Sequence, residues 1–193
     1  MIKSWFQILQ NNGFKIFVVL LFVGIGVLSR LVDHIPNFTP IVGIGLFLSY
    51  IYGKNFSLAF VILTMLISDA FIGLGHFLVH ATVYFSLMVP SFLGVILRKF
   101  PNYKWKYFIL VNLSLISSVI FYLTTNFAVW LWGGLYEPTL DGLMMSYIMA
   151  IPFFKNTLAG DLFSSLLVFG VYDLIYIWLS KKETAQQDSK EIL

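Results

Sequence analysis

Asp69 lies between Leu66-Ile67-Ser68 and Ala70-Phe71-Ile72, a carboxylate set in an apolar run where its charge needs a partner. His76 and His80 follow, four residues apart, with Asp69 seven residues before the first of them. On one continuous helix face these three side chains could approach a metal ion. Gly73 and Gly75 interrupt such a helix, and histidines at an interface or in a loop are the competing reading, so no metal site is assigned. Asp69 with His76 would also supply the acid and base of an intramembrane hydrolase or transferase acting on a lipid-linked substrate. The chain has no Cys, and therefore no thiolate ligand, thiol nucleophile or disulfide. Gly-x-Ser-x-Gly, His-Glu-x-x-His and phosphate-cradling glycine loops are all missing. The expectation is a protein that is not an enzyme and that needs no cofactor.

The remaining polar residues are few enough to be taken one by one. Asp33, His34 and Asn37 surround Pro36, and Thr39-Pro40 follows. Two prolines stiffen this segment, which suits it to act as a gating loop comprising Arg30, His34, Pro36 and Pro40. Asp33 could equally pair with Arg30 at a helix end. Asn126 ends one apolar run, Asn156 precedes another, and Asp161 follows Gly160 near its start. There a carboxylate would either complement a helix dipole or meet a ligand. Trp130 and Trp132 could stack on a solute or anchor the chain at the membrane interface. The candidate solute contacts are thus Asn37, Thr39, Asp69, Asn126, Trp130, Asn156 and Asp161.

The elements that must position these residues follow from composition. Of 193 residues 59% are hydrophobic and 11% charged, against about 25% charged in a typical soluble domain. Too little polar surface exists to coat a soluble globule. A soluble enzyme, a disordered chain and, despite the net charge of +3, a nucleic-acid-binding module are all excluded. The apolar runs are continuous and show no alternating polarity, which argues against a barrel. They predict an all-α polytopic membrane protein, a bundle of six transmembrane helices at about 14–31, 41–52, 56–75, 78–97, 107–132 and 158–180. The first run has no cleavage site and is read as a membrane helix, not a removed signal peptide. The connection after Gly133-Gly134 contains the apolar stretch Leu143 to Phe154, expected to form a short interfacial helix ending near Pro152. Residues 1–180 then make a single transmembrane domain and 181–193 a polar cytoplasmic tail.

Alternate assignment of the loops puts ten of the twelve basic residues on one side, leaving only Arg30 and Lys155 on the other. The positive-inside rule makes the first side cytoplasmic, with both termini there. The polar candidates above then gather in the outer third of the bundle, as a pocket open to the outside requires. Gly24, Gly26 and Ser29 line one face of the first span, either for internal packing or for docking a partner membrane protein.

Several segments resemble, together and in order, an uncharacterised family of bacterial putative membrane transport proteins. They are Arg30-Leu31-Val32-Asp33-His34-Ile35-Pro36-Asn37-Phe38-Thr39-Pro40, Ser68-Asp69 with Gly73, and Thr125-Asn126-Phe127-Ala128-Val129-Trp130. The blocks Pro152-Phe153-Phe154, Asn156-Thr157-Leu158 and Gly160-Asp161 complete the likeness. In size, span number and polar outer end that family is similar to the substrate-binding S components of energy-coupling factor (ECF) transporters. The resemblance implies an inner-membrane protein of a bacterium that captures a vitamin-like nutrient. It also implies docking on a membrane coupling subunit driven by two cytoplasmic ATPases. Span 1 departs from the expected Ala-x-x-x-Ala docking pattern, offering Gly24-x-Gly26-x-x-Ser29 instead. The competing functions are the membrane enzyme built on Asp69 and His76, and a non-catalytic membrane assembly subunit. The expected partners are thus a small-molecule substrate, the lipid bilayer and a coupling subunit, without nucleic acid.

Overall fold

A computed structural model describes residues 2–32, 35–100 and 102–191, without the side chains of 2–4, 6 and 184–191. Seven α-helices follow one another: α1 (Ile2–Gln10), α2 (Asn12–Leu31), α3 (Ile41–Tyr52), α4 (Lys54–Ile72), α5 (Phe77–Leu93), α6 (Tyr103–Trp132) and α7 (Leu140–Glu191). A 3-10 segment, Gly94–Lys99, extends α5, and no strand occurs among the described residues. Five stretches are long and apolar enough to cross a bilayer, while α3 is apolar but only 12 residues long.

Each boundary has a local cause. Asn11 and Asn102 accept hydrogen bonds from the backbone N–H groups of Phe14 and Lys104, capping α2 and α6. Gly53 takes φ 100°, a value open to glycine, so that α3 ends and α4 begins across a single residue. Gly73 does the same at the end of α4.

The core is built around α3, whose residues Ile41 to Ser49 are all buried. Helices α4, α5 and α7 surround it. The approach is close because small residues face it: a Cβ on Gly43 would run into the backbone of Ser165, and one on Gly94 into the Leu46 carbonyl. Serines bind the seams. Ser57 Oγ donates to the Gly45 carbonyl at 2.7 Å, and Ser49 Oγ to the Ser91 carbonyl at 2.5 Å. Arg98 donates to the carbonyls of Ser49 and Tyr50, satisfying the exposed end of this short helix.

Two features differ from the sequence expectation. The N-terminal residues form an additional helix, α1, whose Leu9 is buried and whose Trp5 ring lies 5.5 Å from that of Tyr172. The predicted interfacial helix and last span are one uninterrupted helix, α7, and Pro152 does not end it. It does mark a change of direction. Asp161 bonds to Ser118, Ser165 to Ser114 and Asp173 to Lys106, so α7 advances while α6 recedes by equal steps. From Tyr147 to Asp161 α7 advances 14 residues, yet its partners on α6 recede only from Tyr122 to Ser118. A straight helix cannot do this, so α7 bends between these contacts, where proline removes one helical hydrogen bond.

Candidate functional site

The polar candidates meet at the end of the bundle where α2, α4 and α6 finish and α3 and α5 begin. Arg30, in the last turn of α2, reaches across to α4 and donates from Nη2 to Asp69 Oδ1 at 2.7 Å. Tyr84 of α5 donates to the other oxygen, Asp69 Oδ2, at 2.9 Å. Both oxygens of this buried carboxylate are thereby engaged, which is what its apolar surroundings require. The second guanidinium nitrogen of Arg30, Nη1, contacts the sulfur of Met65, a weak acceptor that leaves donor capacity unused.

Beside this ion pair lies a cavity of about 130 Å³ lined by Arg30, Asn37, Thr39, Phe121, Thr157 and Asp161, among others. A second, of about 100 Å³, shares Asn37, Phe121 and Thr157 with it and continues to Tyr122, Thr125, Asn126 and Phe154. The two are adjacent, divided by these shared side chains. Even together they fall below the roughly 300–1,000 Å³ of a site for a drug-sized ligand, so the space suits a small solute. The loop of residues 35–40 covers it. Asn37 is the one described non-glycine residue at positive φ (63°), a conformation that asparagine tolerates better than most side chains. That loop rests on α7 at Gly160, where an added Cβ would lie 3.0 Å from Thr39 N.

Asp161 also lines this pocket and is 2% exposed. It stands 21 residues into α7, because that helix begins at Leu140, so the helix-dipole role proposed from its place near a span start does not apply. Its Oδ2 accepts a hydrogen bond from Ser118 at 2.6 Å, and its Oδ1 accepts none among the described residues. No described cation lies within ion-pair distance of it.

The sequence candidates therefore divide. Asn37, Thr39, Asn126 and Asp161 line the pocket, and Asp69 acts through Arg30 behind its wall. Asn126 also donates to the Tyr122 carbonyl. Trp130 lies elsewhere, donating to the Glu137 carbonyl, and Asn156 lines neither cavity although its neighbour Thr157 lines both. Of the gating residues, Arg30 belongs to α2, Pro36 is exposed, and Pro40 caps the start of α3. His34, like Asp33 and its expected pairing with Arg30, lies outside the described residues. Gly26 packs against Thr64 of α4, Gly24 faces open space, and Ser29 donates to the Gly26 carbonyl. His76 begins α5 on the exposed surface. No three His, Asp or Glu side chains cluster as a metal site among the described residues. Sequence reasoning missed Tyr84, Ser118, Phe121 and Thr157. The hydroxyls resembled ordinary helix-packing residues, and only the antiparallel register of α6 and α7 shows which of them meet.

Residues 10–185 match the family of unknown function DUF6580, and the chain belongs to that family. No curated protein and no solved structure matches it, so none of these comparisons reaches the S components of ECF transporters.

Proposed function

We propose that this DUF6580 member is a membrane transport protein that binds a small polar solute beneath the 35–40 loop and passes it across the bilayer. The observation that carries this reading is the pocket itself. Arg30, Asn37, Thr39, Thr157 and Asp161 come from α2, a loop and α7, and leave hydrogen-bonding capacity around one cavity. Polar groups inside a bundle of this composition are costly and occur where a solute or ion passes.

The protein acts by binding, without bond-making chemistry. Asp69 is consumed by Arg30 and Tyr84, and His76 sits on the surface, which argues against an acid–base pair. Six crossings place both termini in the cytoplasm of a bacterial inner membrane and the pocket towards the outside. The ten-to-two distribution of basic residues supports that orientation. Because the chain has no phosphate-binding loop, its energy comes from elsewhere. The likeness to ECF S components supports a coupling subunit with cytoplasmic ATPases, and the open face at Gly24 on α2 offers a place for it.

Mass spectrometry of small molecules that co-purify with the protein tests the reading. A reproducible compound, lost from Asn37→Gly and Thr157→Val while both variants stay monodisperse, supports it. A protein that retains no compound, or retains it equally in both variants, overturns it.

A further inference from the structure

The two carboxylates at this end of the bundle are partnered unequally. Arg30 is matched by Asp69, whereas Asp161, in the same cavity lining, has one serine hydroxyl and no cation among the described residues. A carboxylate 2% exposed inside an apolar bundle is strongly disfavoured unless something compensates it. Asp161 lines the cavity, and so does Phe121, which also lines the second one, where the Tyr122 and Phe154 rings lie 4.7 Å apart. A buried carboxylate that shares a cavity wall with an aromatic side chain suits an organic cation. Arg30, in the same lining, still has N–H donors for an acceptor such as a hydroxyl or carbonyl oxygen.

Resting on the transport reading above, we infer that the solute carries a positively charged nitrogen, seated on Asp161 against Phe121, with a neutral hydrogen-bond acceptor turned towards Arg30. Such a solute supplies the partner that Asp161 lacks, whereas an anion would meet the carboxylate with no attraction. Ser118 is then a positioning residue that fixes Asp161 Oδ2 and leaves Oδ1 to the ligand.

The test uses the full chain in detergent and reads melting temperature with methylammonium, ethanolamine and choline chlorides at millimolar concentration. Potassium acetate, glycerol and sodium chloride serve as comparison probes at matched ionic strength. The expected result is an upward shift of roughly 2–4 °C with at least one amine and none with the comparison probes. In Asp161→Asn the shift disappears, while the unliganded variant melts no lower than the parent because an uncompensated charge is gone. Loss of the shift together with a lower unliganded melting point is resolved by Ser118→Ala, which keeps the carboxylate and must retain a weakened amine shift. A shift with acetate or glycerol but no amine overturns the inference and leaves a solute-binding pocket standing. Sodium acting alone, or an amine shift that survives Asp161→Asn, also overturns it. No shift with any probe overturns the inference, and the co-purification experiment above decides the transport reading separately.

Discussion

Arg30 and Asp69 are separated by 39 residues in sequence and by 2.7 Å in space, and the stability of the pocket wall depends on both being present. Removing one leaves the other buried and unpaired, so Asp69→Asn should cost about 2–3 kcal/mol in chemical unfolding, less than a fully sequestered pair because Arg30 is 18% exposed. Replacing both together, Arg30→Met with Asp69→Leu, should cost less than Asp69→Leu alone or Arg30→Met alone. Additive losses in this double-mutant cycle would show that the pair does not act as a unit. Tyr84→Phe removes only the second hydrogen bond and should cost about 1 kcal/mol. That Asp69 needs a partner was legible from its apolar neighbours. Which partner was not, because Asp33 lies near Arg30 in sequence and the choice of Asp69 depends on how α2 packs on α4. Asn37 allows a cleaner separation of binding from folding. Asn37→Gly retains the positive φ without strain and deletes the amide, so affinity for the co-purified solute should fall while the unfolding midpoint changes little.

Among the elements, α3 shows why a helix too short to be a conventional span can be the most buried part of the bundle. Its closest backbone approach to α7 falls at a glycine, so Gly43 is not interchangeable with Gly24 of α2. Gly43→Ala should destabilise by about 1–3 kcal/mol, because the obstacle is the backbone of α7, which cannot swing aside as a side chain can. Gly24→Ala meets nothing within 4 Å and should be neutral or stabilising by up to about 1 kcal/mol through helix propensity. Thermal unfolding of the two variants side by side checks this contrast, and equal effects would contradict the packing described. The apolar runs and their glycine and proline punctuation made most of the helices legible. Pro152 misled because a proline can bend a helix instead of ending it, and nothing local distinguishes the outcomes when neighbouring helices support both sides. The extra helix α1 was illegible for a related reason: nine residues are too few for a membrane run, and its stability comes from Trp5 against Tyr172 and from Leu9 in the core.

Across the whole molecule the two ends carry opposite kinds of charge chemistry. The pocket end holds Arg30, Asp69 and Asp161. The other end holds a buried pair in which Lys106 contacts both oxygens of Asp173 at 2.7 and 2.5 Å, joined by Tyr107 at 3.0 Å. The rings of Tyr50 and Tyr103 flank the same ammonium. Lys106 counts towards the basic side in sequence, yet here it ties α6 to α7 inside the bundle, so the exposed lysines and arginines must carry the topogenic signal. Because the natural chain has no cysteine, single substitutions report sidedness without any background to remove. Leu135→Cys lies in the exposed connection between α6 and α7, at the pocket end. Lys99→Cys and Lys182→Cys lie towards the basic end, at exposed positions whose change spares the Lys106–Asp173 pair. With six crossings, a membrane-impermeant maleimide should label Leu135→Cys in intact cells, and the other two only after permeabilisation. Labelling of Lys99→Cys or Lys182→Cys in intact cells would break the alternation, and with it the claim that the pocket opens outward.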